Sequence, residues 1–175
     1  MIVLGLGGNV GGDEHVLARM RRVAESLGSW GRVRASRVYR TGPVGGPQQL
    51  DFLNAALAIE ASPEPTPREL IDTVQELERL CGRDRSAEVR WGPRAIDIDV
   101  LLWGARVIDR EGPPRLRVPH EHLATRRFAL APVIDLMGED FVVPGDRRTL
   151  RALYEATAGQ RVDLTDFRLD IPSQG

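Results

Sequence analysis

Apolar and polar residues alternate along Ile96-Asp97-Ile98-Asp99-Val100-Leu101-Leu102, the period of a β-strand with one face in a core. Successive strand side chains point to opposite faces. The pattern therefore predicts Ile96, Ile98, Val100 and Leu102 inward and both aspartates together on the other side. Upstream, Ile2 to Leu6 reads as a short buried strand ended by the turn Gly7-Gly8-Asn9-Val10-Gly11-Gly12. A helical stripe follows in Val16, Leu17, Met20, Val23, Ala24 and Leu27, with Asp13 as its expected cap and Gly28 as its stop. Arg32 to Arg40 alternates as a second strand, Thr41 to Gln49 is a loop rich in Gly and Pro, and Phe52 to Glu60 is a third, more buried strand.

Thr66-Pro67-Arg68-Glu69 is a helix start: Thr can cap, Pro suits the first turn, and Glu can complete a capping box. The stripe Leu70, Ile71, Val74, Leu77 and Cys81 carries that helix to about Cys81, with Gly82 as a natural end. The first hundred residues thus read β-α-β-β-α-β, the ferredoxin-like order of an α+β fold: a mostly antiparallel sheet with these helices on one face. Beyond Leu102 the pattern loosens. Val107-Ile108 predicts a short strand, Pro113, Pro114, Pro119, Pro132 and Pro144 break up the segments, and Arg148 to Ala158 predicts a last amphipathic helix. These additional C-terminal helices and strands extend the core to α-β-α layers, and the polar tail from about residue 160 is expected to be mobile.

A chain of 175 residues with 42% hydrophobic and 28% charged positions suits a single domain with a substantial core. The net charge of −1 argues against a general nucleic-acid binder. All 24 basic residues are arginine, so the choice of arginine at one position carries little information, although its location does. Cys81 has no thiol partner and falls on an apolar helix face, which reads as a small buried hydrophobe. The first residues lack the basic start of a signal peptide, and no apolar run reaches membrane-spanning length. The expectation is a cytoplasmic monomer with no nucleic-acid or membrane partner.

Chemistry concentrates around the aspartate strand. Two like charges on one face repel and need a cation beside them, either a metal ion or arginine. Hard cations such as Mg²⁺ prefer carboxylate oxygens and fill their remaining positions with water and phosphate. Arg83, Arg85, Arg90 and Arg94 lie just upstream, in a loop whose guanidinium forks could grip phosphate and which could close over a substrate. Trp91 in that polar loop needs a surface to cover. On the preceding helix Glu78 projects into the apolar stripe and Gln75 sits at its edge, so Glu78 needs an arginine or ligand donors as partner. Asn54 stands alone as a polar residue in Phe52-Leu53-Asn54-Ala55-Ala56-Leu57, and its amide suits the edge of a heterocycle or a structural hydrogen bond. His120 could meet phosphate, but with no triad-like companion it does not read as a general base. Gly7-Gly8-Asn9 is a weak phosphate-loop signal, lacking the lysine and spacing of a P-loop.

Taken together, these motifs resemble the 6-hydroxymethyl-7,8-dihydropterin pyrophosphokinase family. The resemblance runs from the first strand to about Pro132 through Leu4-Gly5-Leu6-Gly7-Gly8-Asn9-Val10, Tyr39-Arg40-Thr41-Gly42-Pro43-Val44-Gly45, Phe52-Leu53-Asn54-Ala55-Ala56 and Glu78-Arg79-Leu80-Cys81-Gly82-Arg83. It continues through Arg90-Trp91-Gly92-Pro93-Arg94-Ala95-Ile96-Asp97-Ile98-Asp99, Val118-Pro119-His120 and Arg126-Arg127-Phe128-Ala129-Leu130. Trp-Gly-Pro-Arg followed by the aspartate pair is the specific part. The resemblance implies pyrophosphoryl transfer from ATP to the pterin's hydroxymethyl oxygen with release of AMP. It implies two Mg²⁺ ions on Asp97 and Asp99, with Arg83 and Arg94 joining them as catalytic residues. Around ATP it implies Gln75, Glu78, Arg85, Trp91, Arg94, Ile98, Arg115, His120 and Arg126. For the pterin it implies Thr41, Pro43, Val44, Phe52 and Asn54, with the ring between Phe128 and Trp91. Three positions depart from the family's pattern: Gly8 where many members have Ser, Ser86 where some carry a basic residue, and Arg117 where some have a small hydroxyl.

A polymerase-like palm would share the paired aspartates, but it would need a third carboxylate and a basic track. A binding module without turnover would have no use for the aspartates, Trp91 and Arg94 together.

Overall fold

The computed structural model describes residues 1–43, 47–84, 92–112 and 115–171. Among them the elements run β1 (Ile2–Gly8), α1 (Asp13–Leu27), β2 (Gly31–Ala35), β3 (Tyr39–Thr41), β4 (Phe52–Ala61), α2 (Pro67–Leu80) and β5 (Asp97–Trp103). Then come β6 (Ile108–Arg110), β7 (Leu116–Val118), α3 (Arg127–Met137), α4 (Leu150–Ala156) and β8 (Asp163–Leu164). The main sheet has the order β5-β1-β4-β3-β8, with β2 also on β4, and every pairing is antiparallel. β6 and β7 form a separate hairpin.

Strand alternation sorts the core into two layers. Leu4, Leu6, Leu57 and Ile59 pack with Val16 and Met20 of α1 and Leu70 and Val74 of α2. Val3, Ala56 and Ala58 pack on the opposite face with Leu130 and Val133 of α3 and Leu150 and Leu153 of α4. The expected α-β-α layering is what the chain adopts. α2 starts as its sequence predicts: the Thr66 hydroxyl accepts from Glu69 N–H at 3.3 Å, and the Glu69 carboxylate accepts from Thr66 N–H at 2.7 Å.

Several expectations need correction. The single strand predicted over Arg32 to Arg40 is two, because at Ser36 a side chain replaces a backbone acceptor: the Ser36 hydroxyl accepts from Ala56 N–H at 2.8 Å. Leu102 does not share a face with Ile98. A bulge in β5 pairs Leu4 with Val100 but Val3 with Leu102, which sends Leu102 to the α3 layer and Trp103 to the α1–α2 layer. Asp13 is not a cap; Gly12 takes the cap position with a positive φ of 82°, and Asp13 pairs with Arg40 at 2.7 Å.

The C-terminal third holds more structure than its pattern indicated. α3 runs through Pro132, read as a breaker, because Ala129 to Val133 are all buried and that packing outweighs the lost backbone bond. The last helix is shorter than predicted and begins after Thr149, whose hydroxyl accepts from Ala152 N–H at 3.2 Å. The tail makes contacts through Ile171: β8 pairs with β3, Thr165 donates to Val38 O, and Phe167, Leu169 and Ile171 pack on the core.

The α2 cap gives a stability test. Thr66→Ala should lower the unfolding free energy by about 1 kcal/mol, measured by urea denaturation, with the fold retained.

Candidate active site

Both aspartates project from the same sheet face, as their spacing predicts. Gly7 pairs with Asp97 on one side and Asn54 on the other, so the three form one cross-strand row, and Gly5 pairs with Asp99 in the next. That is the α3 face. Gly7 puts no side chain between Asp97 and Asn54, whereas the Leu101 side chain covers Gly5, where a Cβ would lie 2.9 Å from it. A Cβ on Gly7 would lie 3.1 Å from the Asn54 amide oxygen, so the amide leans over the bare strand.

Asp97 is held by Arg83, whose guanidinium also contacts Glu78, and Arg94 Nε lies 4.0 Å from its other oxygen. Asp99 is half-buried beside Asp97 and lines the groove. Burial, then repulsion from Asp97, pushes its carboxyl up to about 7, against the pull of Arg126. His120 Nε2 is 3.7 Å from Asp99 Oδ1. Burial, followed by the positive charge of Arg126, lowers that imidazole to about 4, so it is neutral near pH 7. Its Nδ1 accepts from His122 N–H at 3.1 Å, which assigns the proton to Nε2, facing Asp99.

β5 is an edge strand, and its outer side faces a groove of about 240 Å³ lined by Ile71, Val74, Gln75, Ile98, Arg115 and His120 among others. Glu78, fully buried, accepts from Ile98 N–H at 2.9 Å and from Arg83. The inward carboxylate anticipated on α2 thus has both an arginine and a strand backbone as partners. Arg115 is exposed at the groove's rim, 3.4 Å from Glu121, as is Arg117.

On the Asn54 side, Asn54 and Thr41 are buried, and the amide donates to the Thr41 hydroxyl at 2.8 Å. Phe52 pairs with Thr41, and Tyr39 with Asn54, so all four share the aspartates' face. Tyr39 donates to Asp135 of α3 at 2.9 Å, fastening that helix beside the site. The first turn of α3 presents Phe128, half-buried, with the Arg126 guanidinium 5.7 Å from its ring centre. Pro43 is exposed at the rim. Val44, Arg85, Ser86, Arg90 and Trp91, and with them the closing loop and one wall of the ring sandwich, lie outside the described residues.

The sequence reading undervalued the first turn. Asn9 is buried, accepts from Arg94 N–H at 2.9 Å through its side chain, and donates its amide to Gln49 and Leu50. Its own N–H donates to Arg94 O at 3.0 Å, which joins three loops at one residue. A buried asparagine in a glycine-rich turn was the available signal. Gly8 is also required: a Cβ there would lie 2.7 Å from Ala95 O. A second cavity of about 370 Å³, bounded by Asn9, Asp13, Arg40 and Gln49, opens on the α1 side, away from the aspartates.

A ferredoxin-like sheet bearing paired carboxylates, arginines and a groove of mixed polar and apolar lining is the build of a phosphotransferase. The chain matches the family model for 7,8-dihydro-6-hydroxymethylpterin-pyrophosphokinase over residues 3–138, and it belongs to that family. It is 41% identical over 165 residues to the 2-amino-4-hydroxy-6-hydroxymethyldihydropteridine pyrophosphokinase of Methylorubrum extorquens, covering 91% of this chain and 97% of the relative. It is 36% identical over 141 residues to the bifunctional protein FolKE of Lactococcus lactis subsp. cremoris, covering 79% of this chain but spanning 38% of that longer protein. A Plasmodium falciparum HPPK-DHPS structure shares the fold, with a TM-score of 0.68 at 14% identity over 90% of this chain and 41% of that one.

Glu78 ties α2 to β5 and Arg83. Glu78→Ala should lower stability by about 3 kcal/mol in chemical denaturation, because it takes one of the carboxylates from the buried Arg83 guanidinium and strands the Ile98 N–H. Glu78→Gln, which keeps an acceptor, should lose less.

Proposed function

We propose that this chain transfers the pyrophosphoryl group of ATP to the hydroxymethyl oxygen of 6-hydroxymethyl-7,8-dihydropterin, releasing AMP, as a step of folate biosynthesis. Family membership supports the reaction. One observation carries the assignment of parts: Asn54 and Asp97 flank Gly7 in a single cross-strand row. Two strand spacings, about 10 Å, separate them. That span suits a heterocycle at Asn54 whose hydroxymethyl reaches a phosphate above the aspartates.

In this reading the pterin edge meets Asn54 and Thr41, and its ring stacks on Phe128, with Phe52, Pro43, Val44 and Trp91 completing the pocket. Adenine enters the groove over Ile98, with Gln75, Glu78 and Arg115 about it. Arg85, Trp91, Arg94, His120 and Arg126 attend the phosphates. The hydroxymethyl oxygen attacks the β-phosphorus in line; the new O–P bond forms as the bond to the α,β-bridging oxygen breaks, AMP leaves, and the hydroxyl proton passes to water. Arg83 and Arg94 stabilise charge on the transferring group, and neutral His120 offers an Nε2–H donor. Positioning and electrostatics supply the catalysis, so no strongly basic side chain is needed.

Asp97 and Asp99 suit two Mg²⁺ ions: they are hard oxygen donors on one face, on adjacent rows of the sheet. Bound there, the ions would neutralise the triphosphate and orient its β-phosphorus. A monomeric, cytoplasmic enzyme belongs to the same proposal; no helix among the described residues is long and apolar enough to cross a membrane.

An AMP-release assay with ATP, Mg²⁺ and the dihydropterin tests the function, and absence of turnover by folded protein would sink it. Asp97→Ala and Asp99→Ala should each abolish turnover and leave the circular dichroism spectrum unchanged; near wild-type rates in either would defeat the metal assignment. The Asp99 shift adds a pH test. Its folded pKa is raised, so the metal-free fold holds a proton that the unfolded chain releases. Its contribution to stability therefore falls as pH rises from the ordinary carboxylate range towards 7. Mg²⁺ competes with that proton, so the melting temperature should rise more on adding Mg²⁺ at about pH 8 than at about pH 6.

A further inference from the structure

Gln160 lies beyond residue 138, where the family match ends, yet its side chain reaches back to the site. Its amide nitrogen donates to Thr125 O at 2.8 Å, and its amide oxygen accepts from Arg127 N–H at 2.9 Å. Those two groups belong to the peptide units immediately before and after Arg126. One amide therefore grips both backbone planes that aim the Arg126 side chain. A second clasp lies alongside: Arg127 donates to Tyr154 O at 3.1 Å and stacks 3.7 Å above the Tyr154 ring. Gln160 itself is anchored by its N–H to Thr157 O at 3.0 Å, and the buried Thr157 hydroxyl ties back to Leu153 and Tyr154.

What this aims is a charge within the site. Arg126 acts electrostatically on both Asp99 and His120, and its guanidinium borders Phe128. No backbone helix bond is available to either gripped group, since α3 begins only at Arg127 and its first N–H groups need partners from outside. The segment is also tied by Ala129 and Leu130 N–H to Arg126 O and by Thr125 to His122 O; Gln160 adds the bonds that fix the peptide planes on either side of Arg126.

We propose that Gln160 is a positioning residue for ATP: it fixes the backbone around Arg126 so that this arginine meets the nucleotide's phosphates. The C-terminal segment thereby completes the site from outside the family match. The inference rests on the pyrophosphokinase reading, through the role given to Arg126.

The test is a double-mutant cycle on the full chain, with KM for ATP, KM for the dihydropterin, kcat and melting temperature measured for each variant. Gln160→Met keeps the shape and removes both hydrogen bonds. It should raise KM for ATP about 10-fold and leave the pterin KM unchanged, since a small misplacement of a binding group has effects of this order. In an Arg126→Ala background the same change should have no further effect on KM. Gln160→Glu, which keeps the acceptor for Arg127 and loses the donor to Thr125, should fall between and serves if Gln160→Met does not fold. An unchanged KM for ATP, equal rises in both KM values, or the same rise with and without Arg126 would each overturn the proposal. A wild-type protein without turnover would instead defeat the pyrophosphokinase reading, and this proposal with it.

Discussion

An edge strand left open to a ligand must still satisfy its outward backbone, and the site depends on how β5 does so. At one end the buried Glu78 carboxylate accepts Ile98 N–H; at the other, His120 N–H donates to Leu101 O at 3.0 Å. Between these two ties lies the groove. Among the described residues, side chains and loops thus tie the strand at its ends, and no further strand can add there without displacing them. Glu78 can hold this position only because Arg83 neutralises it, and Arg83 in turn reaches Asp97. One carboxylate in the last turns of α2 consequently sets the strand edge, the arginine and the first aspartate together.

The sheet divides labour by face. Its α1–α2 side is packed with aliphatic residues, whereas at the end of its α3 side Gly7 places no side chain between Asp97 and Asn54. The β5 bulge makes this compatible with a full core. Before it, Asp97 and Asp99 look out over the site; after it, Leu102 drops into the α3 layer on that same side. A regular strand would keep a single alternation throughout.

Much of this was legible in the chain. The Asp-Ile-Asp alternation fixed the aspartates' common face, the Thr66–Glu69 box located the start of α2, and Glu78's place in an apolar stripe foretold its burial. These are local signals with one dominant cause each. What escaped depended on distant partners. Nothing near Ser36 says that its hydroxyl will replace a ladder bond to Ala56. Nothing near Pro132 says that burial will carry a helix through it, and the polar residues about Leu169 mask an apolar anchor. Asn9 was passed over because its four bonds reach Gln49, Leu50 and Arg94, none of them sequence neighbours.

The close approach of Ala95 O to Gly8 has a consequence for descent. Many members of this family carry serine there, and in this chain a serine's Cβ would collide with a backbone carbonyl rather than with a side chain that could turn aside. The path between the two states therefore has an order: the Ala95 segment must retreat before serine is admitted, and serine must go before that segment advances. Substituting serine at Gly8 would therefore be felt as a shift of the Ala95 segment and of the Arg94 backbone that Asn9 holds.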